Sequence, residues 1–256
     1  MGTDRRVDVL GVPVDPVPFD EALEIALRAA KERANASRVV AVNPEKVMIA
    51  RRSPEIAAFI ESSDLAIPDG VGVVMALKLL RGVVAERVAG ADLATAIFRE
   101  SGARGIKIFL YGAREDVNEG AARKLKELFP DIVIVGRQNG YLPEDRFGEL
   151  VERINASDAD ALFLALGSPK QERWIERFAP ELRVGLCMGV GGTFDALVGR
   201  VKRAPLSWQK ARLEWLYRLI RQPSRFWRQR RIFLFAFKVL FEYLFGKRDR
   251  VDEPTK

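Results

Sequence analysis

The feature that most constrains this chain is an alternation in its first 200 residues. Short apolar runs of strand length ("RVVAVN", "DLAIPDG", "IKIFLYG", "DIVIVG", "ALFLALG" and "RVGLCMGVG") each end at or near a turn residue. Between them lie "DEALEIALRAAKERA", "EDVNEGAARKLKELF", "DRFGELVERINA" and "PKQERWIERFA", whose apolar residues recur at helical spacing. Strands alternating with helices predict an α/β, Rossmann-like fold with a mostly parallel sheet and helices on both faces. The runs are continuously apolar, as strands buried on both sides must be. In such sheets a ligand binds outside the carboxyl ends of the strands. The distinctive ends here are Asn43-Pro44-Glu45, Pro68-Asp69-Gly70, Tyr111-Gly112-Ala113, Gly167 to Gln171, and Gly189 to Thr193. Their polar groups are expected to converge on one rim.

The last stretch differs in kind. From Arg200 to Lys256 there are 16 Lys and Arg against 5 Asp and Glu, a net of +11 that leaves the first 199 residues at −4. Eleven of the 23 aromatic residues fall there too. We therefore divide the chain into a core, residues 1–202, and a basic aromatic appendage, residues 203–256. The appendage reads as two helices broken at Pro223. Its apolar run from Ile232 to Phe245 contains Lys238 and Glu242 and is too short to span a bilayer. Flanked by Arg230, Arg231, Lys247, Arg248 and Arg250, it suits a helix lying in the interface of an anionic membrane. A helix packed on the core with solvated bases, and a nucleic-acid contact, are the alternatives. An apolar face left open could also be covered by a second copy of the chain.

Histidine is absent. That removes Ser–His and Cys–His nucleophile systems and the usual general base, leaving a carboxylate as the leading candidate. One cysteine, Cys187, sits in an apolar run and reads as a buried thiol. It excludes an internal disulfide framework and fits a reducing compartment. The N-terminus carries no signal-peptide pattern, so the expected location is the cytoplasm.

Asp69 is the acid best placed for chemistry, at a strand end after an apolar run and beside Gly70 and Gly72, which would let a ligand approach. The competing reading is a helix N-cap. Asn43 is a turn former or a substrate contact. Gly112 and the Gly189/Gly191/Gly192 cluster, followed by Thr193, are weak signals for phosphate approach through backbone amides. Gln171 follows a strand-end glycine beside Lys170, at a helix start that favours anions. The chain lacks a Walker-type phosphate loop and GxGxxG, which weakens ATPase and dinucleotide readings. No DxD-type acid pair stands beside these strand ends, so no cofactor and no metal is expected. Arg218, Arg221, Arg225 and Arg228 recur at three- and four-residue spacing and would either face solvent or neutralise a diphosphate.

Taken in order, "VNPEKV", "AIPDGVGV", "ERVAGADL", "FLYGA", "LGSPKQERWI", "GVGGTFDALVG" and "KRAP" resemble the WecG/TagA/CpsF family of bacterial glycosyltransferases over nearly the whole chain. The resemblance implies a metal-independent, inverting transfer from a UDP-sugar to polyprenyl-diphosphate-linked N-acetylglucosamine. TagA-type members donate N-acetylmannosamine for teichoic-acid linkage units; WecG-type members donate its uronic acid. It implies that Asp69 deprotonates the acceptor hydroxyl. Asn43 and Gln171 match pocket residues, and Arg218, Arg225 and Arg228 match appendage arginines that close over the site and hold the departing UDP. The appendage would bring the enzyme to its lipid acceptor, peripheral on the inner face of the plasma membrane and away from nucleic acid. Where TagA-type members carry a threonine two residues before the asparagine, this chain has Ala41. UDP-glucose, UDP-galactose or the uronic acid as donor, and a non-catalytic subunit of a transferase complex, are the alternatives.

Overall fold

The computed structural model describes residues 6–200, Trp208 and residues 226–245. Six strands form one sheet: β3 (Ser37–Val42), β4 (Leu65–Pro68), β5 (Lys107–Gly112), β6 (Val133–Gln138), β7 (Ala161–Ala165) and β8 (Leu186–Gly189), in the order β4-β3-β8-β7-β5-β6. Every neighbouring pair is parallel, so all carboxyl ends emerge along one edge. Residues of β4 and β7 are buried throughout, as their unbroken apolar sequences require. A short antiparallel pair, β1 (Val7–Asp8) and β2 (Pro13–Val14), precedes the sheet. Just beyond it Asp15 seals the edge of β4: its carboxylate accepts from the Ala66 N–H (2.6 Å) and its own N–H donates to the Ala66 carbonyl (2.8 Å). An edge strand closed in this way cannot pair with another chain.

Helices cover both faces. On one lie α2 (Pro44–Ala50), α3 (Pro54–Glu61), α4 (Val71–Arg81), α7 (Phe147–Ala156) and α8 (Lys170–Phe178), whose Val47, Phe59, Leu77, Ile154 and Trp174 share a single apolar cluster. On the other lie α1 (Phe19–Glu32), α5 (Gly90–Ser101), α6 (Glu115–Leu128) and the short α9 (Thr193–Leu197), joined through Leu27, Phe98, Leu125 and Phe194. Neighbouring strands β5 and β7 therefore send their chains to opposite faces, α6 to one and α8 to the other. The same holds for β3 and β8. Such reversals open a crevice at the carboxyl edge.

The last described helix, α10 (Phe226–Phe245), lies over α2 and α4. Phe235 and Val239 are buried in the first cluster, and each such side chain contributes about 1.5–3 kcal/mol of burial. Arg231 Nη1 binds Glu45 Oε1 at 3.0 Å, in the first turn of α2. Farther along, Glu242 lies 3.8 Å from Arg81, in the last turn of α4. The helix thus runs from the starts of α2 and α4, beside the carboxyl edge, toward the sheet's opposite end.

All six anticipated strands and all four anticipated helices are present, and the apolar run from Ile232 to Phe245 belongs to α10. The strongly periodic patterns did not single out α2, α3 or α5. The break at Pro223 lies outside the described residues. No described helix is long and apolar enough to cross a membrane.

Candidate active site

Two neighbouring strand ends carry half-buried polar side chains. Asn43, leaving β3, is the N-cap of α2: its Oδ1 accepts from the Lys46 N–H at 2.9 Å, and Pro44 occupies the first helical position. Its turn-forming role is thus realised, with the side chain half-buried. Asp69, leaving β4, donates its backbone N–H to the Val42 carbonyl at 2.9 Å, which ties the two ends together. The N-cap of α4 is Gly70, with φ 90° and no side-chain cap bond. Asp69 therefore stands one residue outside the cap, half-buried.

The glycines here serve packing. A Cβ at Gly72 would lie 2.7 Å from Pro44 Cγ and 3.5 Å from the Phe235 ring, so this glycine admits the neighbouring turn and α10 rather than a ligand. That corrects the expectation that Gly72 keeps the turn open. Gly90 begins α5, and a Cβ there would lie 2.8 Å from the Ala41 methyl and 4.0 Å from Asp69 Oδ2. The segment before it runs alongside Asp69, since the Val88 N–H donates to the Pro68 carbonyl at 3.1 Å. That brings Arg87, 4.0 Å from Asp92, to the rim. It went unnoticed within "ERVAGADL" because nothing in the spacing marks it.

The ends of β7 and β8 are built differently. Lys170, first in α8, is exposed. Gln171 is buried, its Oε1 accepting from the Gly191 N–H (3.1 Å) and its Nε2 donating to Glu172 Oε1 (3.2 Å). Lys46 of α2 donates to the same oxygen at 2.5 Å, and both members of this ion pair are buried. Burial opposes ionisation of Glu172, but the Lys46 charge and hydrogen bond prevail and hold its pKa below the usual value. Gly191 has φ 53°, Gly192 is exposed at the start of α9, and the buried Thr193 hydroxyl donates to the Val190 carbonyl at 2.7 Å. Gly112 is buried with φ 116°; a Cβ there would meet the Ala165 backbone at 2.6 Å, and its carbonyl accepts from Asn118 Nδ2 at 2.9 Å.

Two further titratable groups belong to the core. Burial pushes Tyr111 and Cys187 each up to about 12, so both stay protonated. Tyr111 packs edge-on against Trp174, with ring centroids 5.1 Å apart. Among the described residues, no group of three or more Cys, Asp and Glu is arranged to hold a metal ion. Arg218, Arg221 and Arg225 lie outside the described residues, as does the side chain of Arg228.

The family described as "Glycosyl transferase WecG/TagA/CpsF family" matches residues 7–249. A Bacillus spizizenii protein named N-acetylglucosaminyldiphosphoundecaprenol N-acetyl-β-D-mannosaminyltransferase is 38% identical over 191 residues, covering 75% of this chain and 73% of its own length. The strand-end motifs, the parallel sheet that aligns them and these two matches agree: the chain is a glycosyltransferase and belongs to the WecG/TagA/CpsF family.

Proposed function

We propose that this enzyme transfers N-acetylmannosamine from its UDP-sugar to a polyprenyl-diphosphate-linked N-acetylglucosamine, with inversion and without a metal. The observation that carries the reading is the 38% identity, over three-quarters of the chain, to a protein named for that reaction. The acceptor hydroxyl attacks the anomeric carbon of the donor while the bond from that carbon to the UDP oxygen breaks. Asp69 takes the hydroxyl proton, and the carboxylate regains its charge by releasing that proton to solvent. One displacement inverts the anomeric centre. A half-buried acid at a strand end, outside the helix cap, suits this role. Asn43 borders the same turn, and the amides around Gly191 and Gly192 edge the adjacent β8 end.

The departing diphosphate needs cations. The start of α10 lies beside the starts of α2 and α4, where Arg231 reaches Glu45. This supports a role for Arg218, Arg221, Arg225 and Arg228 in closing over the site and stabilising UDP. Along α10, Phe233, Phe237, Phe241, Leu244 and Phe245 are exposed while Phe235 and Val239 face the core. An aromatic outer face beside basic residues suits contact with an anionic membrane, from which the lipid-linked acceptor is taken. The enzyme then acts as a peripheral protein on the cytoplasmic leaflet.

UDP release with a panel of UDP-sugars and a short-chain polyprenyl-diphosphate-N-acetylglucosamine tests the reading. Turnover is expected with UDP-N-acetylmannosamine, undiminished by EDTA. Preference for UDP-glucose, UDP-galactose or the uronic acid would reassign the donor, and no turnover with any donor would overturn the assignment.

A further inference from the structure

The buried polar cluster beneath the β8 turn has no part in the steps above. Lys46 and Glu172 come from helices on either side of it and are 6% and 1% exposed. The void beside them, lined by Val39, Phe59, Ile175 and Gly189, has no room for a water molecule. A buried ion pair of this kind adds little stability by itself, because desolvation offsets the attraction. Its geometry has a more specific consequence. A carboxylate can only accept, and the Gly191 N–H can only donate. Gln171, held between them, must therefore turn its NH2 toward Glu172 (3.2 Å) and its oxygen toward Gly191 (3.1 Å). The fit is close: a Cβ at Gly189 would fall 2.3 Å from Gln171 Nε2. The buried Ser168 hydroxyl lies beside the Glu172 carboxyl and adds a hydrogen bond that helps to hold its pKa down, after the larger contribution of Lys46.

We infer that Lys46, Glu172 and Gln171 are positioning residues: the buried carboxylate fixes the orientation of the Gln171 carboxamide, which in turn holds the Gly191 turn in the conformation the transfer requires. Gln171 thereby acts through the β8 end rather than by touching sugar. This deepens the function proposed above and rests on it for the kinetic arm of the test alone.

The decisive variant reverses the pair, Lys46→Glu with Glu172→Lys. Charge neutrality and burial survive, but an ammonium now faces Gln171, so the carboxamide flips and presents NH2 to the Gly191 N–H. We expect a melting temperature close to wild type with kcat/KM lowered about 10–100-fold, the cost of a misplaced site element. Adding Gln171→Met to the reversed pair should cost nothing more, because both changes break one chain of contacts. If the reversed protein does not fold, the apolar pair Lys46→Met with Glu172→Leu takes its place: it removes the acceptor that anchors the Gln171 NH2 without forcing a flip, so a smaller but measurable loss of kcat/KM is expected. A folded pair variant with wild-type turnover, or losses that add to that of Gln171→Met, would overturn the inference. A second readout is independent of the donor: the Gly191 amide proton, observed in 15N-glycine-labelled protein, should move upfield in either pair variant. An unmoved Gly191 resonance sinks the proposal whatever the donor, whereas failure of wild type to use UDP-N-acetylmannosamine sinks only the assigned function.

Discussion

The two halves of the carboxyl edge are built on opposite plans. At the ends of β3 and β4, side chains are half-buried, and closeness is achieved by leaving side chains out: Gly72 admits Pro44 and Phe235, and Gly90 admits Ala41. At the ends of β7 and β8, polar side chains are buried and bonded to each other through Glu172, Gln171 and Gly191, with Lys46 reaching across from α2. A general base has to meet its substrate and so needs access. A support for that base must hold still, and so needs partners of its own. The contrast assigns chemistry to the first half and rigidity to the second.

Asp69→Asn should break the comparison most visibly. It keeps the shape of the turn and removes the base, so kcat is expected to fall about 10²–10⁴-fold. Stability is expected to change far less than activity, since the amide is isosteric with the carboxylate. A large fall in melting temperature with intact turnover would return Asp69 to a structural role. Lys46→Met should do the reverse, acting on the other half through Glu172. It strands the Glu172 carboxylate among apolar atoms, for an expected loss of about 3–5 kcal/mol in urea unfolding. As a control, Arg173→Ala removes the exposed 3.0 Å pair with Glu55, and about 0–1 kcal/mol is expected there.

The two halves were unequally readable. Asp69 and Asn43 stand out because a polar residue ending an unbroken apolar run has few interpretations. The buried half was visible only in part. In "KQERWIERF" the residues Trp174, Ile175 and Phe178 mark the inward face of α8, and Gln171 falls on it three residues before Trp174. Helical phase therefore already favoured burial of Gln171 over a surface contact and left Lys170 outside. Nothing local pairs Glu172 with Lys46, 126 residues away. Their meeting depends on α2 and α8 sharing one face of the sheet. The missed helices have a similar cause. α2 and α3 span 7 and 8 residues, each opening with proline, too short for a period to declare itself. The β1–β2 pair, two residues per strand, leaves no alternation to read.

The appendage extends the comparison outward, since α10 presents one face to the core and another away from it. Phe237→Ser with Phe241→Ser, both exposed, should weaken binding to anionic vesicles by roughly tenfold per residue, the worth of a lost buried phenyl group. Stability should not change. Phe235→Ala, on the inner face, should instead cost about 3 kcal/mol of stability through the cavity it leaves. Equal vesicle binding by the wild type and the double serine variant would remove α10 as the membrane contact.

The smallest expected effect separates buried from exposed charge by acid. Among the described residues four carboxyls, those of Glu115, Glu127, Asp158 and Glu172, have pKa values lowered by basic partners, and only that of Glu172 is buried. Asp158 is held at about 2, chiefly by hydrogen bonds from Lys107 and Arg33, yet its side chain is 60% exposed. A carboxyl whose folded pKa lies below its unfolded one takes up a proton on unfolding. Its contribution is therefore full above the unfolded value, about 4.5 for Glu172, and fades as pH falls through the folded value. Stability should decline in that window through the buried Glu172 and the exposed acids together at low ionic strength. In 1 M salt the screening length shrinks to about 3 Å, which removes the exposed contribution and spares the buried one. Urea midpoints measured between pH 6 and pH 2, roughly two units either side of the usual carboxyl range, check this. In high salt the remaining slope should be unaffected by Asp158→Asn and flattened by Lys46→Met with Glu172→Leu. If salt alone abolishes the slope, the Lys46–Glu172 pair is open to solvent, and the rigid half of the carboxyl edge is not the closed structure that distinguishes it from the half carrying Asp69.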